Sequence, residues 1–482
     1  MKFKIYIFFL VATLLVSCSD LLTEEPTSFI SPSEYFNTVD ECKAALFGVK
    51  NYLSNQYINE KVFILTSELG TDVSYMRELD QWTCQNYNLE VNYDWLNESW
   101  LAFYKAIGSA NMVVNRVGKA EIDEDEKADI VASAKFFRAY YYFNLSNYFG
   151  AVPLWLDELD VDEVSILGRS SVSEVRSQII QDLKDGEEIL PSVRNSDETG
   201  LPTKWVAKAL LSKVYLFNEE WENARDKAAE IINESPHSLL SSYNDIFDVE
   251  NERNKEIIFC LDQIQDIAGS QIHTNASPRP KDEPKFSGSD HYFNGWGMLC
   301  AQPSYVNSFA DDDSRKYMSN FSTAEADDGT IYDLKFIYYY KWNILGEPKN
   351  NGDRDIIIFR LADFYLVYAE AENELNGPTQ EAYSMINRVR QRAFGDDLHN
   401  LSGLDKETFR EAIMDERKWE LGGEGYRRWD LNRWGKLVEA VQSSADANPI
   451  GAANVKVHHI LFPIPDVELE KNPNLLPNNP GY

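Results

Sequence analysis

Glu416, Glu420 and Asp430, interleaved with Arg417, Arg427 and Arg433, form a concentration of groups able to hold charge or move protons. Paired carboxylates cleave glycosidic bonds when one stays protonated as general acid and the other is ionised. Arginines at this density favour the ionised form of every carboxylate beside them. The expectation is therefore ion-paired helix packing and no hydrolysis. Other chemistry is sparse. The six histidines are scattered apart from His458-His459, which sits in a connector and reads as structural or solvated. Asp311-Asp312-Asp313 lacks the alternating ligands and the glycine of a calcium loop and reads as a solvated turn. There is no H-E-x-x-H, G-x-S-x-G or G-x-x-x-x-G-K-[ST] motif. We expect no catalytic residues, no cofactor and no metal centre, a structural calcium being left open.

Aromatic side chains offer a second kind of chemistry. The sequence holds 11 Trp, 26 Tyr and 25 Phe, flat apolar faces with polar handles suited to helix-rich cores and to stacking on sugar rings. Stacking on a sugar's C–H faces would need exposed aromatic platforms flanked by amides, carboxylates or arginine. Trp82 and Trp296 lie among Asp, Gln, Asn and Gly in expected loops and are the first platform candidates. Trp100, Trp205, Trp419, Trp429 and Trp434 sit inside helical stripes or the charged motif and are assigned to the core.

Helices must position these residues. Thr38-Val39-Asp40-Glu41 fits a capping box ahead of Ala45, Val49 and Leu53. Trp100, Phe103, Tyr104, Ile107, Asn111 and Val114, then Phe136, Ala139, Tyr140 and Phe143, recur at helical spacing and give two antiparallel helices, with Glu121 to Glu126 at the N-terminus of the second. Gly150 and Pro153 close it. Helices are also expected over 172–189, 204–217 and 221–232, and from Leu361 to a stop at Asn376-Gly377-Pro378 with a partner from Ala382 to Ala393. Repeated pairs of this size resemble tetratricopeptide stacking. Between Asp262 and Ile356 the chain is rich in Gly, Pro, Asn and Ser, with short β-like runs at 337–340 and 356–358, and reads as loop-built structure of the kind that carries binding sites. The fold class is mostly α, a helix-pair scaffold with an irregular loop-rich segment and minor β.

With 482 residues, 44% hydrophobic and 26% charged, the chain can bury a large core, and the composition excludes wholesale disorder and a polytopic membrane protein. Its 78 acidic against 46 basic residues give a net charge of −32, a field that repels phosphate backbones, so nucleic acid is not an expected partner. Lys2 and Lys4 followed by the apolar run Ile5 to Val16 read as a secretion signal over residues 1–17, ending in Leu15-Val16-Ser17-Cys18, which resembles a bacterial lipobox. Acylated Cys18 would begin the mature chain and hold it at a membrane surface, with 18–34 as a lipidated tether. The remaining cysteines, Cys42, Cys84, Cys260 and Cys300, have no C-x-x-C spacing, and their pairing is not readable from sequence.

Longer motifs carry a family resemblance. Arg360-Leu361-Ala362-Asp363-Phe364, Tyr368-Ala369-Glu370-Ala371-Glu372-Asn373-Glu374 and Ile386-Asn387-Arg388-Val389-Arg390, followed by Glu416-Arg417-Lys418-Trp419-Glu420-Leu421, Glu424-Gly425-Tyr426-Arg427-Arg428-Trp429-Asp430-Leu431 and the closing Phe462-Pro463-Ile464-Pro465 and Asn479-Pro480-Gly481-Tyr482, strongly resemble the SusD/RagB family of outer-membrane nutrient-binding lipoproteins. Phe137-Arg138-Ala139-Tyr140 and Tyr148 to Leu154 match its N-terminal half, so the resemblance covers essentially the whole mature chain. It implies one integrated SusD-like fold, with an N-terminal helical part over 35–260 and a C-terminal part over 261–482.

The resemblance implies a role without turnover: a surface-exposed lipoprotein that binds glycans and delivers them to a SusC-like TonB-dependent transporter for import. Asp20, Glu24 and Glu25 after Cys18 are consistent with surface export. It further implies two aromatic-bearing regions, one spanning Thr71 to Trp95 with Asp72, Tyr75, Arg77, Trp82, Tyr87, Tyr93 and Trp95, the other mid-chain with Tyr292, Asn294, Trp296 and Trp342. Relatives that take up peptides leave a peptide cargo as one alternative, and a structural lid without a ligand of its own as another. The acidic net charge disfavours sulfated or uronic polymers, a bias that Arg77 or Arg279 could reverse locally.

Overall fold

The computed structural model describes residues 35–78, 83–279, 282–283, 295–325, 329–342 and 350–482. Cys18 and the tether lie outside this set, as do Trp82, Tyr292 and Asn294.

The first helix, α1 (Val39–Asn51), starts where its capping box requires: Thr38 Oγ1 accepts from the Glu41 amide and the Glu41 carboxylate accepts from the Thr38 amide. Helix α2 (Asp94–Val117) turns back into α3 (Glu124–Phe149), whose Asp123 cap accepts from two first-turn amides. Helix α3 ends at Gly150, where φ is +71°. Helices α4 (Val172–Ile189), α5 (Lys204–Phe217) and α6 (Trp221–Glu234) follow, then α7 (Leu361–Asn376), α8 (Gln380–Phe394), α9 (Lys406–Leu421) and the short α10 (Arg427–Arg433). Each long helix lies against its successor, α2 on α3, α3 on α4, α4 on α5 and α5 on α6, and α7 then packs on α6, α8 and α9. A continuous apolar core runs through the whole stack. The helix-pair scaffold with minor β is as expected from the sequence.

Helix α7 continues the stack directly from α6 although residues 235–360 intervene. Six short strands are described: β1 (Ser74–Tyr75), β2 (Ile257–Leu261), β3 (Cys300–Ala301), β4 (Phe321–Glu325), β5 (Ile331–Tyr338) and β6 (Ile356–Arg360). Strands β2 and β6 pair antiparallel, setting Leu261 opposite Ile356 and Ile257 opposite Arg360, so the loop-built segment leaves and returns through adjacent strand ends. Strands β3, β4 and β5 of this segment join β1 from the N-terminal part in a small sheet of order β1-β3-β5-β4, over Tyr75, Cys300, Phe321, Leu334 and Tyr338.

The charged motif is a buried ion-pair network. Arg417 bridges Asp363 (2.7 Å) and Asp430 (2.8 Å), and Glu420 receives Arg360, Arg392 (2.5 Å) and Arg315 (3.2 Å). Arg433 spans Asp430 and Glu370. Burial pushes the Glu420 and Asp430 carboxyls up, but the arginines outweigh it and hold both well below the usual carboxylate range. Neither group can be the protonated acid of a hydrolytic pair. His459 is equally structural: its Nδ1 accepts from the Lys456 amide, and burial, then His458 and Arg428, depress it to about 4. Cys42, Cys84, Cys260 and Cys300 are buried free thiols.

Candidate functional site

One site gathers residues from both regions singled out in the sequence. Trp296 sits between Gly295 and Gly297 in a loop where all three amides are engaged: Gly295 N–H donates to Pro278 O (3.1 Å), Trp296 N–H to Thr274 O (2.7 Å) and Gly297 N–H to Ser277 O (2.9 Å). The flanking glycines are dictated by this close approach. A Cβ on Gly295 would lie 2.0 Å from Ser277 O, and Gly297 has φ +60°. From the other side, Arg77 Nε (3.1 Å) and Nη2 (3.0 Å) both donate to the Trp296 carbonyl. Arg77 also pairs with Glu78 (2.6 Å) and Asp282 (3.1 Å), and Glu78 holds Arg279 at 2.7 Å. Trp296 therefore has a fixed backbone and an indole only partly buried against the core.

Beneath the indole lies an element the sequence did not announce. Residues Asn59–Thr66 form a π-helix, a rare geometry that recurs at functional sites. It presents Lys61, whose ammonium lies 5.6 Å from the Trp296 ring centroid and 4.8 Å from that of Trp95, on the first turn of α2. Glu60, beside it, accepts from Gln271 N–H (2.6 Å), Ser270 Oγ (3.2 Å) and Asn275 Nδ2 (3.5 Å). Burial pushes Glu60 up to about 7 against the pull of those donors, and burial pulls Lys61 down.

Three expected site residues are corrected to structural roles. Trp342 is fully buried and its indole N–H donates to Gly423 O (2.8 Å), so its rings serve the core under α9 and offer no platform. Asp72 is bound at both oxygens by Arg427 (2.7 Å each), which outweighs burial and lowers its carboxyl. Tyr75 is 8% exposed and packs with Cys300 and Tyr338 on the small sheet. Of the candidates that can be described, the structure brings Trp296 and Arg77 together and leaves these three out. Lys61 and Glu60 were missed as candidates, whereas Trp95 closes the first aromatic-bearing region expected from the sequence. Asn59-Glu60-Lys61 directly before an apolar run was the available signal, since charge at such a boundary needs a partner or a purpose.

Cys260, Asp262 and Asp355 converge closely enough to hold a metal ion. Cationic side chains occupy the carboxylates instead: Lys50 (2.6 Å) and Arg253 (2.8 Å) on Asp262, Arg253 (3.2 Å) on Asp355. Elsewhere, an apolar cavity of about 440 Å³ lies between α2 and residues 468–475, where Tyr104 and Trp155 stack 4.9 Å apart. No described helix is long and apolar enough to cross a membrane.

Comparison with known proteins agrees with this architecture. A family profile described as "SusD family" matches residues 322–482, and one described as "Starch-binding associating with outer membrane" matches residues 22–216. SusD-like protein P25 of Formosa agariphila is 33% identical, over 99% of this chain and 98% of its own. A crystal structure of a SusD homologue from Bacteroides thetaiotaomicron superposes with a TM-score of 0.84 at 22% identity, covering 94% of this chain and 99% of the other. A laminarin-binding SusD-like protein does so with a TM-score of 0.77 at 25% identity, covering 92% and 99%. Identity of this extent along the full chain, on a helix stack of the same shape, makes the protein a member of the SusD family.

Proposed function

We propose that this protein captures glycans at the Trp296 site and hands them to a SusC-like TonB-dependent transporter, as a lipoprotein held on the outer-membrane surface through acylated Cys18, with no catalytic step of its own. The observation that carries this reading is the Trp296 indole, fixed in backbone by Arg77 and its flanking glycines yet only partly covered. A rigid aromatic face stacks on a pyranose with little loss of side-chain freedom. The guanidinium and carboxylates of Arg77, Glu78, Arg279 and Asp282 supply hydrogen-bonding groups for hydroxyls around it. A relative named for laminarin binding, similar over most of both chains, supports a carbohydrate cargo over a peptide.

The test is binding by the purified chain, followed by intrinsic tryptophan fluorescence and affinity electrophoresis against a panel of glycans and tryptic peptides. Retardation by a glycan class, lost in Trp296→Ala, is the expected result. A response confined to peptides transfers the same site to peptide uptake, and silence toward both leaves a structural lid. The anchor and the partner are tested separately, by palmitate labelling lost in Cys18→Ala and by co-purification of a TonB-dependent transporter.

A further inference from the structure

Three lysines are buried among the described residues, and they differ in one respect. Lys213 meets the Asp363 carboxylate at 2.8 Å and Lys341 meets that of Glu424 at 2.8 Å. Lys61, 8% exposed, has no carboxylate within ion-pairing distance among the described residues. Its ammonium lies 4.8 Å from the ring centroid of Trp95 and 5.6 Å from that of Trp296. The charge acting on it is that of Glu60, whose oxygens are already taken by Gln271, Ser270 and Asn275.

A buried ammonium without a counter-charge is costly. Two tryptophans offset part of the lost hydration through their ring faces, as aromatic cages do for cations. They hold the charge beside Trp296, the platform on which the proposed sugar stacks.

We propose that Lys61, caged by Trp95 and Trp296, is a subsite for an anionic group on the captured sugar, the carboxylate of a uronic acid or a sulfate ester. This rests on the glycan-capture reading and narrows its cargo to acidic glycans. Trp296 stacks the ring while Lys61 pairs with its anionic substituent, and pairing in a site partly shielded from water is stronger than at an open surface. The subsite also runs against the acidic net charge: the overall field disfavours polyanions, and one shielded cation at the platform selects those with the charge in the right place.

The experiment is calorimetric titration of the purified chain in detergent with matched pairs: oligogalacturonate against its fully methyl-esterified form, and dextran sulfate against dextran, with a neutral β-glucan oligosaccharide as reference. The expected result is at least tenfold tighter binding of the charged member of one pair, which also separates carboxylate from sulfate as the recognised group. That preference should vanish in Lys61→Met, whose stem keeps the packing between the two indoles, while the reference ligand is retained. Equal affinity within both pairs, or binding of neutral glycans alone, overturns the anionic subsite and leaves glycan capture standing. A preference that survives Lys61→Met overturns the role of Lys61. Silence toward every saccharide, with the variant and parent equally folded by circular dichroism, overturns the capture reading as well.

Discussion

The Arg77 guanidinium grips the Trp296 carbonyl with two of its nitrogens, 3.1 and 3.0 Å away, across 219 residues of sequence. Charge-assisted bonds from a rigid planar fork fix direction as well as distance, so an arginine in one loop sets the orientation of a tryptophan in another.

Replacing that fork should therefore loosen the platform without removing it. Arg77→Met is expected to weaken glycan binding about tenfold, an effect of one or two charge-assisted hydrogen bonds. Arg77→Lys should recover little of it, because a point charge cannot serve both contacts. Titration of both variants checks this, and full affinity in Arg77→Met would show that the glycines alone hold Trp296.

Trp342 should behave in the opposite way. Trp342→Ala empties a fully buried site and strands the Gly423 carbonyl, at a cost of about 3–5 kcal/mol. The melting temperature should drop by several degrees with glycan affinity unchanged. Lost affinity in a variant of unchanged stability would return Trp342 to the binding surface.

The ion-pair network should be intolerant of single truncations. Arg417→Met leaves Asp430 with Arg433 and Asp363 with Lys213, but removes the bridge between them. Breaking one partner out of a buried cluster costs about 3–5 kcal/mol, and denaturant unfolding should read a loss of that size. A variant within about 1 kcal/mol of the parent would mean that the network is open to water.

Glu60 makes stability depend on pH in the reverse sense to a salt-bridged acid. Its carboxyl is raised from 4.5 to about 7 in the folded chain, so between those values the native state binds the proton that the unfolded state has released. Stability is greatest below the unfolded value and declines as pH rises through that window, by an amount of the order of 3 kcal/mol from this group. Glu60→Gln should flatten the decline in melting temperature between pH 5 and pH 8. Parallel curves for parent and variant would assign the slope to other groups. Asp430 and Glu420, held low by arginines, act at the other end: their contribution is present above about 4 and is lost only as pH falls toward their depressed values.

How much of this was legible depends on how local the signal is. Thr38 and Glu41 announce a helix start because both partners of the cap lie within four residues, and Gly377 announces a stop because its left-handed φ of +81° is a property of one residue. Asp430 reads correctly as ion-paired because Arg417 and Arg433 are its neighbours in sequence, whereas Glu416 and Glu420 take their arginines, Arg315, Arg360, Arg390 and Arg392, from elsewhere in the chain. The site was only half legible for the same reason. Trp296 among glycines and polar residues looks like a loop tryptophan and is one. Trp342, in similar company, is buried because Gly423, eighty-one residues away, offers its carbonyl at the right place. Lys61 carries no motif at all. Its meaning comes from Trp95 and Trp296 closing on it and from the absence of an ion-paired carboxylate among the described residues, and neither fact is written near residue 61.

The pairing of β2 with β6 bears on how such a protein can change its diet. Because Leu261 and Ile356 face each other, the ninety-odd residues between them are a closed loop hung on a two-stranded clasp, and the helices on either side meet whatever that loop contains. Lengthening a closed loop adds only about 0.6 kcal/mol of entropy per doubling. Selection can therefore rewrite this segment, and with it the sugar that is recognised, while the load-carrying stack stays constant. New specificity in this architecture is a matter of replacing a cassette, with Arg77 and Lys61 waiting on the fixed side to meet it.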